Sequence, residues 1–80
     1  MRLDKFLKVS RIIKRRTVAN EACDQGRVSV NGRVAKASVD VKAGDIIEIK
    51  FGEKLFKAEI VNVAEHVLKN DAADLYKVIL

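Results

Sequence analysis

The sequence predicts an α+β domain in which two N-terminal helices pack on a small twisted antiparallel sheet, with a short C-terminal helix closing the chain. Three observations carry that expectation. Leu3, Phe6, Leu7 and Ser10 recur at the spacing of one helix face, and after Gly26 the period changes to strand-like alternation. Asn31-Gly32, Lys42-Ala43-Gly44-Asp45 and Gly52-Glu53 then punctuate the remainder as turns.

The first helix turns Leu3, Phe6 and Leu7 inward, and Lys5, Lys8, Arg11 and Arg15 project from the other side if it continues. No Gly or Pro interrupts residues 11–16, and Ile12-Ile13 anchors an otherwise basic run, which reads as a tight turn or one extra helical turn. Thr17 is placed as the cap of the second helix, whose buried stripe is Val18, Ala19, Ala22 and Cys23 and whose stop is Gly26. Val28 and Val30 then face one way, Arg27 and Ser29 the other. Asn31-Gly32 predicts a type I′ hairpin, because that turn needs positive φ at both central residues.

Residues 46–51 form the next strand, alternating cleanly from residue 47, and Phe56, Ala58 and Ile60 alternate with Lys57 and Glu59 in another. The slip at Ile60-Val61 predicts a bulge or bend. Ala72, Leu75, Tyr76 and Ile79 fit a last helix, with Asn70 as its cap and Asp71 in its first turn; a terminal strand over Tyr76–Leu80 is the alternative.

Eighty residues make one domain, which buries roughly 60–65% of its unfolded surface and leaves no room for a large cleft. Within it, residues 1–51 carry the motifs and 64–80 form an extension. A hydrophobic fraction of 49% beside 34% charged residues is that of a globular chain, and no apolar run is long enough to span a bilayer. The N-terminus is charged from Arg2 and lacks the apolar run of a secretory signal, so a cytoplasmic protein is expected. One cysteine and one histidine exclude an intramolecular disulfide and a Cys/His zinc cluster, and no cofactor is expected.

Charge is the strongest functional signal. Residues 1–36 hold ten Lys/Arg against three Asp/Glu, a balance of +7, whereas residues 37–80 hold six against eight, a balance of −2. A chain so polarised presents its basic half to a polyanion. The start of the second helix combines orphan amides with Arg15, Arg16 and Thr17, and a planar guanidinium holds phosphate oxygens bidentately. Lys5, Lys8, Arg11 and Lys14 extend that surface. Arg2 lies beside it without an obvious acidic partner nearby, while Asp4 is assigned to the positive end of the first helix. Arg33 and Lys36 either widen the basic surface or protect a strand edge.

Leu3, Phe6, Leu7, Phe51, Phe56 and Tyr76 are assigned to core, so recognition is expected through shape and backbone and not through base stacking. No convergent catalytic groups are present, His66 reads as a loop residue, and Cys23 as an inert buried thiol. A non-enzymatic binder is expected. A membrane-surface role is disfavoured because the basic arm has no exposed aromatic set to insert.

Several spaced elements resemble the RNA-binding domain family of small-subunit ribosomal protein four: Arg2-Leu3-Asp4-Lys5-Phe6-Leu7, Arg16 with Ala19, Gly26-x-Val28-x-Val30-Asn31-Gly32, and Val41-x-x-Gly44-Asp45-x-Ile47. The resemblance covers residues 1–51 and implies paired helices on an antiparallel sheet with RNA along the helices. Two departures stand out. That family often has Gly in the turn after its first helix and Ser or Thr before the arginine, where this chain has Arg11 and Arg15.

Residues 10–17 and Lys36-Ala37-Ser38-x-Asp40-Val41-Lys42 further resemble its stand-alone bacterial branch, related to heat-shock protein fifteen. This implies a ribosome-associated monomer that binds ribosomal RNA of an obstructed large subunit together with its tRNA. It would support alanine tailing by RqcH, with Arg2 and Arg16 at positions expected to touch ribosomal and transfer RNA. No small-molecule substrate is implied. A general ribosome-assembly or translation-regulatory factor, or an accessory to an RNA-modifying enzyme such as a pseudouridine synthase, remains the alternative.

Overall fold

In the computed structural model, which describes residues 1–79, helix α1 spans Leu3–Val9 and helix α2 Arg16–Asp24. Strands β1 (Val28–Val30), β2 (Arg33–Val34), β3 (Ile46–Phe51) and β4 (Lys54–Ile60) follow, then a 3-10 segment, Lys69–Leu75, and strand β5, Tyr76–Val78. The five strands form one antiparallel sheet in the order β2-β1-β3-β4-β5. This is the α+β class expected from the sequence.

The register explains which face is core. Val28 pairs with Ile49, and Ile47 with Ala58, so alternate residues of β1, β3 and β4 turn to the same side. There they meet Leu3, Phe6 and Leu7 of α1 and Ala19, Ala22 and Cys23 of α2 in one buried cluster. At about 25 cal/mol per Å² of apolar surface, each large side chain so buried contributes roughly 1.5–3 kcal/mol. Small residues on α2 let it approach α1 closely.

Segment 37–41 holds α1 in place. Leu3 N–H donates to the Val39 carbonyl at 2.8 Å, Asp4 N–H to the Ala37 carbonyl at 3.1 Å, and Val41 N–H to the Met1 carbonyl at 2.8 Å. Two of the first-turn amides of α1 are thereby satisfied by a segment distant in sequence.

Asn31 and Gly32 adopt φ of 52° and 84° between β1 and β2, the two positive values of the expected hairpin turn. Gly26, at φ 73°, follows the end of α2 as expected. The tight-turn alternative holds for residues 11–16, with Arg11 itself at φ 62°. This left-handed conformation costs a side-chain-bearing residue what glycine would not pay.

Several local expectations need correction. Phe51, assigned to core, is exposed at the end of β3. Thr17 lies inside α2, whose cap position is Arg15 and makes no side-chain cap hydrogen bond. Val18 is exposed, because the buried stripe of α2 begins at Ala19. The short C-terminal helix is there as the 3-10 segment Lys69–Leu75 with Asp71 in its first turn, but its cap position is Leu68 and not Asn70, and it stops before Tyr76–Val78, which pair with β4 as the terminal-strand alternative has it. Ala72 and Leu75 are buried as the helical spacing suggested, but Ile60 opposite Tyr76 and Ala58 opposite Val78 offer the open edge of β4, and backbone pairing prevails there. Leu80, the end of the alternative strand, lies outside the described residues. The slip at Ile60-Val61 marks the end of β4, with Val61 N–H bonded at 2.8 Å to the Leu75 carbonyl.

Candidate nucleic-acid interface

The basic residues divide into groups set by the two helices. At the centre of the first group is a carboxylate. Asp4 is 2% exposed at the start of α1, and both oxygens are occupied. Oδ1 accepts from the Lys5 backbone N–H at 2.8 Å, from Arg2 Nε at 3.2 Å and from an Arg16 terminal nitrogen at 3.4 Å. Oδ2 accepts from Asn20 Nδ2 at 3.3 Å and from Arg2 at 3.4 Å, and lies 3.3 Å from Arg16 Nε in an ion pair.

Arg2 therefore does have an acidic partner, two residues away, contrary to the expectation. Each guanidinium grips one carboxylate with two nitrogens, a geometry that restricts both side chains. Burial pushes the Asp4 carboxyl up, but Arg16, Asn20, Arg2 and the Lys5 amide overcome that effect and hold it below its ordinary value. Asp4 is thus an anion carrying two cations, and the side chains of Arg2 and Arg16 keep 51% and 47% of their surface exposed. One positive charge is left over, on a platform whose outer edge still has N–H groups to offer a phosphate.

Thr17 and Asn20 line a shallow depression with Arg16 and Asp4, beside Glu21. Arg15 stands at the start of α2 in extended conformation, exposed. Lys36 is exposed and precedes Ala37, the residue bonded to Asp4 N–H, so it stays near the start of α1. Arg33 is on edge strand β2, part of the sheet and not of the helix surface.

A second group forms where α1 ends. Lys8, Arg11 and Lys14 line a recess of about 210 Å³ facing Glu65, His66 and Val67. Lys5 is drawn out of the free cations into an ion pair with Glu65, whose carboxyl is held low by that contact.

Asp4 as a hub, Asn20, Glu65 and His66 were missed as site residues by sequence reasoning. A signal for Asp4 was present: an acid three residues before Leu7, on the margin of the buried stripe of a basic helix. Nothing in sequence spacing points from Lys5 to Glu65. Cys23 is buried, and burial first, then the charges of Asp4 and Asp24, push its thiol up to about 11, which suits an inert packing role. Among the described residues no three His, Cys, Asp or Glu side chains converge as metal ligands, and no helix is long and apolar enough to cross a membrane.

Paired helices with arginines at their starts, packed on an antiparallel sheet, define a small RNA-binding domain class, and residues 1–47 match the S4 domain; the chain belongs to that family. It is 63% identical over 78 residues to a protein of Halalkalibacterium halodurans named RQC P-site tRNA stabilizing factor, covering 98% of this chain and 89% of the relative. A protein of the same name from Bacillus subtilis is 53% identical over 79 residues, covering 99% and 92%. The solved structure of heat shock protein 15 from Vibrio cholerae superposes with a TM-score of 0.89 at 30% identity, covering 98% of this chain and 80% of that one.

Proposed function

We propose that this chain is a non-enzymatic RNA-binding factor of ribosome-associated quality control, which binds the obstructed large ribosomal subunit and steadies its P-site tRNA while RqcH extends the nascent chain with alanine. The observation that carries the reading is the Asp4 platform: two arginines, one at the cap position of α1 and one opening α2, splinted by one buried carboxylate and exposed on their outer side. Relatives spanning nearly the whole chain, named as P-site tRNA stabilizing factors in ribosome quality control, supply the biological setting.

Mechanistically, Arg2 and Arg16 neutralise phosphates without refolding, because Asp4 already limits their motion. Preorganisation of this kind reduces the entropy lost on binding. Release of counterions supplies much of the affinity, so binding weakens with salt by a logarithmic slope of about 0.7–0.9 per phosphate neutralised. The domain acts as a monomer in the cytoplasm, and it holds the tRNA by adding contacts that must break before the tRNA leaves.

Arg16→Ala tests the reading. Large subunits carrying peptidyl-tRNA should bind the variant more weakly at matched salt, with its thermal unfolding close to that of the parent. Equal binding would remove Arg16 from the interface. Pull-down from cells distinguishes the setting: large subunits with tRNA and RqcH support quality control, whereas immature particles point to a ribosome-assembly factor.

A further inference from the structure

The recess at the end of α1 has the makings of a second site. Lys8 is in the last turn of α1, and Arg11 and Lys14 come from the turn that follows. The carbonyl groups at a helix end normally repel an anion. Here three of the last four are already engaged: Phe6 carbonyl accepts from Ser10 N–H at 2.9 Å, Leu7 carbonyl from Ile13 N–H at 3.1 Å, and Lys8 carbonyl from Arg11 N–H at 3.1 Å. That last bond accompanies the left-handed conformation of Arg11, which turns the chain back so that three cations border one concavity.

The opposite wall is segment 65–67. Val67 packs against the core, and Glu65 is bound to Lys5 on α1. The charged and titratable groups facing the recess are thus Lys8, Arg11, Lys14, His66 and Glu65, with the Glu65 charge offset by Lys5. About 210 Å³ accommodates a phosphodiester group with its flanking sugar, and no Phe, Tyr or Trp is present to stack a base.

We propose that this recess is a separate phosphate site, taking one phosphodiester group of bound RNA between Lys8, Arg11 and Lys14 and the wall that the Lys5–Glu65 pair holds against α1. The inference rests on the RNA-binding reading and deepens it. Lys5 and Glu65 become positioning residues, and His66 forms part of the wall beside the phosphate.

The test compares K8A/K14A, E65Q and R16A for binding to large subunits carrying tRNA, at several salt concentrations, with thermal unfolding measured for each. K8A/K14A should lower the salt slope by about 0.7–0.9, the contribution of one phosphate, and its effect should add to that of R16A. E65Q should weaken binding about two- to fivefold although it removes a negative charge from beside a polyanion, whereas unaided long-range electrostatics would strengthen it. Chemical shifts of the His66 imidazole should move on adding a short RNA hairpin and much less with inorganic phosphate at equal ionic strength. Equal shifts with both would make the recess a free-phosphate site and overturn the RNA assignment. If R16A weakens binding while K8A/K14A does not, or if E65Q tightens it, the recess proposal fails and the function above stands. If neither R16A nor K8A/K14A affects binding, both fail.

Discussion

Two buried aspartates, Asp4 and Asp45, are built alike and used differently. Both are at most 6% exposed. In both, burial raises the carboxyl pKa and hydrogen bonds overcome it, leaving each below its ordinary value. Asp45 accepts from Asn31 Nδ2 at 3.1 Å, the Lys42 backbone N–H at 3.0 Å and Lys42 Nζ at 3.2 Å. Asn31 Oδ1 in turn accepts from Ile46 N–H at 2.9 Å. Asp45 therefore ties the hairpin turn to the turn before β3. Asp4 has two half-exposed arginines instead, so the same buried anion presents cations outward. What separates a structural lock from a binding platform is the count of cations: each carboxylate accepts from an amide and a backbone N–H, but Asp45 meets one lysine, which it neutralises, whereas Asp4 meets two guanidiniums and leaves one positive charge over at the surface.

The most severe way to break that comparison is Asp4→Ala. Leaving two guanidiniums without their shared anion should cost about 2–3 kcal/mol in chemical denaturation, discounted because both arginines are half in water. RNA binding of the folded fraction should fall as well, and unchanged binding would remove Asp4 from any positioning role. Asp45→Ala should cost about 1–2 kcal/mol by loss of its backbone and Asn31 bonds, with binding per folded molecule at the parental level. Loss of binding there would collapse the distinction.

Acid titration probes both at once. Each carboxyl is lower in the folded state, so its stabilisation is complete above the ordinary aspartate value of about 3.9 and is lost as pH falls through the depressed folded value. Melting temperature should therefore drop below about pH 4, and D4N and D45N should each flatten that fall. A parental curve in either variant would contradict its role.

Arg11→Gly should raise stability by about 1 kcal/mol, since glycine accepts the left-handed backbone that arginine strains to adopt. The same change should weaken RNA binding by removing a cation from the recess. Smallest is Arg15→Ser, which supplies the missing side-chain cap of α2 and should add about 0.5–1 kcal/mol. At both positions this chain has a base where the family often has a residue better suited to the backbone, so greater stability with weaker binding is the expected signature.

The sequence by itself determined what depends on neighbours along the chain. Helical spacing marked Leu3, Phe6 and Leu7 as the buried face of α1, and the left-handed demands at Gly26 and Asn31-Gly32 located the end of α2 and the hairpin. Charge asymmetry selected the helical half as basic, a property that needs no coordinates. Tertiary structure decided the rest. It gave Tyr76–Val78 to the sheet, because the unpaired edge of β4 is a partner that periodicity within residues 72–79 does not reveal. It brought Arg16 across 12 residues to the carboxylate that Arg2 already reaches from two residues away, and Lys5 to Glu65 across 60. Short-range spacing records which side of an element is apolar; which charges meet depends on how the elements pack, and that packing separated the basic arm into a platform and a recess.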